Sequence, residues 1–180
     1  MPLKIDKSWS LFLDRDGVIN ERLPNDYVKS TEQFKFIEGT LEAIAIFTQF
    51  FGHIFIVSNQ QGIGKGLMTQ TELDAIHNYL VSEVNKAGGR IDKIYVSPYL
   101  HSLKHFTRKP SVGMGITAKK DFKEISFRKS IMAGDSLSDM LFGKRLGMTT
   151  VLIDNCEAAK KRPDLTDFYY PNLLNFAKVL

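Results

Sequence analysis

Ser10-Leu11-Phe12-Leu13-Asp14-Arg15-Asp16-Gly17 is an apolar run that empties into two acids and a glycine. A buried strand ending this way places two carboxylates at one edge of a sheet. The acids are two apart, so in extended chain they point the same way. Two like charges held that close are best explained by a divalent cation and a separate task for each acid: one carboxylate can attack phosphorus while the other handles a proton. A plain turn is the competing reading of an acid followed by glycine. A calcium loop is excluded, because with Gly17 at its sixth position Phe12 and Leu23 would stand at the first and twelfth, where acids are required.

Outward from this stretch, apolar runs alternate with helix-like periodicity. Strands are expected at Trp9–Leu13, His53–Ser58, Lys93–Ser97, Ser130–Ala133 and Thr150–Ile153, and helices near Gly39–Phe51, Thr69–Ala87, Met114–Phe122 and Ser136–Leu146. Thr69, with Glu72 three residues on, reads as a capping box, and Ala87-Gly88-Gly89 as the matching stop. Past Ile153, Asp167–Tyr170 reads as a last edge strand and Asn172–Val179 as a terminal helix. Gln60–Gly66 and Pro98–Gly115 read as loops. The alternation argues for an α/β fold, a parallel sheet with helices on both faces, in one domain over residues 1–180. No insertion is long enough for a large cap domain. In such sheets ligands sit beyond the carboxyl ends of the strands, and three polar motifs fall there: after Leu13, after Val57 and after Ala133.

Bulk properties narrow the function. A chain of 180 residues supports a full core. The start, Met1-Pro2-Leu3-Lys4-Ile5-Asp6, lacks a signal-peptide stretch, no run approaches a membrane span, and Cys156 is the only cysteine. No membrane partner and a cytoplasmic location are therefore expected. The net charge of +4 is uneven, since residues 101–130 carry eight Lys or Arg against two acids. That segment suits an anionic ligand or forms a solvated basic face; it does not make the chain a nucleic-acid binder.

Three further motifs carry chemistry. In Ser58-Asn59-Gln60-Gln61-Gly62-Ile63-Gly64-Lys65-Gly66, a hydroxyl directly after a strand can bond a phosphate oxygen and the glycines admit close backbone approach; a flexible connection is the alternative. It is not a Walker loop, because Lys65 precedes Gly66, nor a dinucleotide fingerprint, because Leu67 stands where the third glycine belongs. In Arg108-Lys109-Pro110, a fixed Lys109 would neutralise charge near the aspartates and a phosphate, and Arg108 could grip a second anionic group in bidentate fashion; a surface pair of cations is the alternative. In Ala133-Gly134-Asp135-Ser136-Leu137-Ser138-Asp139, Asp135 could complete an oxygen site for Mg²⁺ with Asp14 and a backbone carbonyl, and Asp139 could hold Lys109 or a metal-bound water. Capping of the following helix by Asp135 is the alternative.

In this order the motifs resemble the haloacid dehalogenase superfamily of phosphatases. DRDGVIN, SNQQGIGKG, AGGRIDKIYVSP, RKPSVGM and GDSLSDM are similar to its branch of heptose-1,7-bisphosphate 7-phosphatases and histidinol phosphatases, over residues 9–153. The resemblance implies a Rossmann-like fold and a Mg²⁺-dependent phosphomonoesterase with an aspartyl-phosphate intermediate. It implies Asp14 as nucleophile and Asp16 as acid and then base. Ser58 and Lys109 would hold the phosphoryl group, and Asn59 and Arg108 would contact substrate. Asp14, Asp135 and Asp16, the last through its carbonyl, would bind the metal, with Asp139 in support.

Many members of that branch carry a structural zinc in a Cys/His loop before Arg-Lys-Pro. Here Ser97–Thr107 has no cysteine, and His101 and His105 alone are too few for a closed four-ligand site, so zinc is not expected. Leu100, Leu103 and Phe106 are expected to pack the loop instead. The expected partner is a small phosphorylated metabolite, first a sugar bisphosphate and next histidinol phosphate. NQxGIGxG and KPxxGM are also similar to nucleic-acid 3′-phosphatases, which keeps that substrate class open. A non-catalytic module binding a phosphorylated ligand is disfavoured by the presence of Asp14, Asp16, Lys109 and Asp135 together.

Overall fold

The computed structural model describes residues 4–24 and 26–180. Met1–Leu3, which open the stretch expected to lack a leader, lie outside the described residues. Six strands, β1 (Ser10–Leu13), β2 (His53–Asn59), β3 (Lys93–Ser97), β4 (Ser130–Gly134), β5 (Thr149–Ile153) and β6 (Phe168–Tyr170), form one sheet in the order β3-β2-β1-β4-β5-β6. Every neighbouring pair is parallel. The register sets Leu13 beside Ile56 and Ala133, so β4 ends one residue beyond β1 and β2 three residues beyond it, all at the same edge of the sheet.

Strand alternation explains why helices cover both faces. Leu11, Leu13, Ile54, Ile56, Ile131 and Ala133 point to one side, and all are fully buried. There they meet α1 (Thr40–Phe50) and α3 (Gln70–Lys86) through Ile44, Phe47, Ile76 and Leu80. Phe12, Phe55, Val57 and Met132 point to the other side and pack on α4 (Gly113–Asp121) and α5 (Leu137–Leu146) through Met114, Ala118 and Phe142. Runs of consecutive apolar residues in these strands suit a sheet with no solvated face. At about 25 cal/mol per Å² of apolar surface buried, these two layers supply the main force holding the sheet edge in place.

The expected boundaries differ by one or two residues. The Thr69–Glu72 capping box is present, and α3 stops before Gly88, whose φ of +80° ends the helix. Two short helices were not expected. Within Gln60–Gly66, α2 (Gln61–Gly64) is a single turn that two glycines disfavour intrinsically. It is held by Lys65 N–H donating to Gln61 O (3.0 Å) and Gly64 N–H donating to Pro98 O (3.1 Å). The second, α6 (Cys156–Lys161), starts where the Asn155 side chain accepts from Ala158 N–H. The expected edge strand and terminal helix are both found, the latter as α7 (Leu173–Ala177), packed on the α1 face.

Between β1 and α1 the chain runs out and back across the carboxyl end of the sheet. Asn20 bridges Phe36 in antiparallel fashion, and Ile37 N–H donates to Ile19 O at 3.0 Å. This excursion, and no larger insertion among the described residues, forms the wall opposite the carboxylates.

Candidate active site

The strand β1 stops at Leu13, and the chain turns at once rather than running on extended. Asp14 N–H still donates to Ala133 O (2.9 Å), but Ile19 N–H closes a helical turn onto Arg15 O (2.8 Å), and Gly17 takes φ +90°. The extended chain expected to carry both acids is therefore replaced by a turn, though the turn still brings both to one place. Both line the cleft, yet their carboxylates have different partners.

Asp14 Oδ1 accepts from Arg15 N–H (2.8 Å) and lies 2.9 Å from Lys109 Nζ. The same ammonium lies 2.6 Å from Asp139 Oδ1, and both side chains of that pair are buried. Burial pushes the Asp14 carboxyl up to about 6, with Lys109 pulling it down and Asp139 pushing it further up. Burial also works against the Lys109 charge, but the two carboxylates outweigh it and hold its pKa above the ordinary lysine value. Asp16 lines the same cleft but is held by other donors. Its oxygens accept from Arg15 Nη2 (2.9 and 3.0 Å), Asn20 Nδ2 (2.9 Å) and Gln60 Nε2 (2.7 Å). Burial opposes its charge, but the Arg15 guanidinium and the amide donors outweigh burial and hold its carboxyl below the ordinary range.

Asp135 and Asp139 sit where β4 passes into α5. Asp135 does not cap that helix. Ser136 does, accepting from Asp139 N–H, while Asp139 Oδ2 accepts from Ser136 N–H (3.1 Å) in return. A hydroxyl reaches the first-turn amides from the N-cap, and Asp135 lies one residue too early. Its carboxylate is left to face Arg22, with which it lines a second pocket, and its pKa is pushed up to about 7 by burial first, then by Asp14, against the pull of Arg22.

Asp14, Asp135 and Asp139 each offer an oxygen, and these lie within 4.8 Å of one another. An all-oxygen, all-acid donor set fits a hard divalent cation. The Asp16 carboxylate is not in that cluster. Its main-chain carbonyl, however, lies 3.0 Å from Arg22 Nη2, the atom that also contacts Asp135 (3.0 and 2.9 Å).

The remaining expected residues divide. Arg108 lines the cleft, of about 510 Å³, together with Asn59. Asn59 is already engaged, with Nδ2 donating to Lys109 O (3.1 Å) and Oδ1 accepting from Lys109 N–H (3.0 Å), which pins the lysine loop to β2. Ser58 is buried inside β2, not after it, and its hydroxyl accepts from Gln60 Nε2 at 2.8 Å. Of the basic segment, Arg108 alone lines the cleft, with Lys109 buried beside it; the solvated-face reading fits Lys120, exposed on α4, whereas Lys119 turns back to donate to Lys123 O (2.6 Å). Leu103 and Phe106 are exposed, at 62% and 58%, and do not pack their loop as expected. His105 stacks on Tyr99 and pairs with Thr107 Oγ1 at 2.8 Å.

Sequence reasoning missed Arg15, Gln60, Arg22 and His77. Arg15 is fully buried and touches His77 Nε2 at 3.2 Å. Its position between the two acids was the available signal, and Gln60 directly follows the Ser58-Asn59 pair. Nothing local marks Arg22 or His77.

Residues 11–170 match the sequence pattern of a family described as polynucleotide kinase 3 phosphatase. The chain is 36% identical over 174 residues to the D-glycero-alpha-D-manno-heptose-1,7-bisphosphate 7-phosphatase of Campylobacter jejuni, covering 96% of this chain and 97% of that one. The protein of the same name from Mycobacterium bovis is 37% identical over 132 residues, 73% of this chain and 70% of that one. Among solved structures, the D,D-heptose 1,7-bisphosphate phosphatase of B. bronchiseptica, complexed with magnesium and phosphate, superposes with a TM-score of 0.87 at 27% identity, covering 94% of this chain and 96% of that one.

Proposed function

The chain belongs to the haloacid dehalogenase phosphatases, in the branch of the heptose-1,7-bisphosphate 7-phosphatases, and on that premise we propose that it removes one phosphate from a sugar bisphosphate of the D,D-heptose 1,7-bisphosphate kind, with Mg²⁺. The observation that supports this best is the Asp14–Lys109–Asp139 chain at the floor of a cleft with further cations on its walls. Asp14 would attack phosphorus through the oxygen not held by Arg15 N–H. A P–O bond to Asp14 forms as the bond to the sugar oxygen breaks, and Asp16 gives the leaving oxygen its proton. Water then attacks the aspartyl-phosphate, Asp16 takes that proton, and Asp14 and inorganic phosphate are released. The Arg15 contact favours the ionised Asp16 needed for the second half; the negative charge of a bound phosphate would favour the protonated form needed for the first.

Lys109 would hold the phosphoryl oxygens. Asn59 would support that hold by fixing Lys109, while Ser58, inside β2, would orient the Gln60 amide that donates to Asp16. Arg108 would receive the second phosphate. Asp14, Asp135 and the Asp16 carbonyl would hold Mg²⁺, with Asp139 anchoring Lys109. When bound, the ion offsets the charge between the attacking carboxylate and the phosphate.

The test is phosphate release from both anomers of heptose 1,7-bisphosphate, sugar monophosphates, histidinol phosphate and a 3′-phosphorylated oligonucleotide, with Mg²⁺ or EDTA, beside Asp14→Asn. Release from a bisphosphate that needs both Mg²⁺ and Asp14 supports the reading. The family description keeps the oligonucleotide in the panel. Preference for it, with steep salt dependence, would replace the sugar with a nucleic-acid end.

A further inference from the structure

Arg22 stands six residues beyond Asp16 on the outgoing arm of the excursion, and its guanidinium reaches the acids. One nitrogen, Nη2, lies 3.0 Å from the Asp16 carbonyl oxygen and 3.0 and 2.9 Å from the two Asp135 oxygens. These are two of the three groups that the proposed function gives to the divalent cation. The side chain is 55% exposed, so it can leave without unpacking a core, whereas Asp135 at 16% cannot turn out to water as freely.

The charge of the site gives the contact a reason. Asp14, Asp135 and Asp139 crowd within 4.8 Å, and Lys109 already serves Asp14 and Asp139. Asp135 feels that ammonium only weakly and makes no ion pair with it. Its burial and the nearby Asp14 charge both work against ionisation, and Arg22 is the cation at ion-pair distance that relieves it.

We propose that Arg22 is a tethered competitor of the metal, a residue that a divalent cation must displace from Asp135 and the Asp16 carbonyl before it can bind. The inference rests on the reading of this site as a Mg²⁺ site. Displacement lowers the apparent affinity for the ion by the fraction of molecules in which Arg22 is withdrawn. It also leaves each of Asp14, Asp16, Asp135 and Asp139 at ion-pair distance from Lys109, Arg15 or Arg22 when no cation is bound. Once withdrawn, the guanidinium remains on the wall of the cleft it already lines.

The experiment is calorimetric titration of Mg²⁺ into the full chain, comparing the wild type with Arg22→Met, together with thermal melts in EDTA and in Mg²⁺. Lys65→Met is the control. It removes one positive charge from the same cleft, at a residue set against the Tyr27 ring rather than the acids. Arg22→Met should bind Mg²⁺ about tenfold more tightly than wild type if Arg22 holds its acceptors about nine-tenths of the time. It should also melt lower in EDTA and gain more from Mg²⁺, while Lys65→Met should shift affinity much less. Arg22→Gln, uncharged but still a donor, should fall between and serves if the Met variant folds poorly. Equal Mg²⁺ affinity in wild type and Arg22→Met, or an equal gain in Lys65→Met, overturns the competition and leaves the metal site standing. Absence of Mg²⁺ binding to wild type and variant alike overturns both the competition and the metal reading.

Discussion

Arg15 grips both oxygens of Asp16 from a fully buried position, at 2.9 and 3.0 Å. A guanidinium with no exposure needs a carboxylate, and removing it strands the acid. Breaking a buried pair by deleting one partner costs about 3–5 kcal/mol, and the 24% exposure of Asp16 places this one at the lower end. Arg15→Met should therefore lose roughly 3 kcal/mol of stability in urea unfolding. Arg15→Lys keeps the charge but loses the two-point grip, so it should retain more stability and lose kcat. Equal stability of Arg15→Met and wild type would remove Arg15 from this role.

His77 Nε2 lies 3.2 Å from Arg15 Nη1. Arginine only donates, so this nitrogen must be an acceptor and the ring neutral with its proton on Nδ1. Burial first, and then the Arg15 charge, depress its pKa to about 4 from an ordinary 6.5. For a base with a depressed folded pKa, the unfolded chain takes the proton first as pH falls. Stability is therefore complete above about 6.5 and is lost as pH drops from there to about 4, by roughly 3 kcal/mol at about 1.4 kcal/mol per unit. His77→Gln preserves an acceptor without the titration. The difference in unfolding free energy between wild type and His77→Gln should grow from pH 4 towards 6.5, and a constant difference would count against the neutral-acceptor assignment.

Asp139 serves two masters. Oδ1 holds Lys109 at 2.6 Å while Oδ2 accepts from Ser136 N–H and Oγ at 3.1 and 2.6 Å. An amide has one acceptor oxygen and cannot do both. Asp139→Asn should lose about 1–3 kcal/mol, the cost of one buried group left unpaired. It should also lower kcat by releasing Lys109 from its fixed position. Ser136→Ala removes only the hydroxyl side of the cap and should cost about 1 kcal/mol with kcat nearly intact. Parallel losses of kcat in the two variants would mean that the helix start, rather than the lysine anchor, matters.

Much of the sheet was legible because each strand is a short apolar run bounded by turn residues, and β1, β2 and β4 are buried on both faces. The carboxylate floor was legible because Asp14, Asp135 and Lys109 follow strand ends or a loop that returns to one. What stayed hidden depends on the turn at Arg15–Asn20. A period-two argument assumes extended chain, and it gives no sign of the turn that hands Asp16 to Arg15 and Gln60 while keeping it on the same cleft as Asp14. Arg22 and His77 lie beyond local reasoning altogether. One reaches an acid 113 residues away and the other an arginine 62 residues away, and both contacts exist only once the sheet has formed.

The raised carboxyls yield a prediction about metal and pH together. Asp14 and Asp135 are pushed up to about 6 and about 7, mainly by burial. An acid whose folded pKa is raised costs stability once ionised. That cost is full above about 7 and is relieved as pH falls through 7 and 6 towards the unfolded value near 3.8. A divalent cation binds the ionised pair and must displace protons from the protonated one. Mg²⁺ should therefore raise the melting temperature clearly near pH 8 and much less near pH 5.5, where both acids are largely protonated without it. Paired melts in EDTA and in excess MgCl₂ at both pH values check this, with Asp135→Asn as the variant in which the Mg²⁺ shift should collapse at either pH. A shift as large at the lower pH as at the higher would mean that the ion binds elsewhere, or that these two acids are ionised throughout.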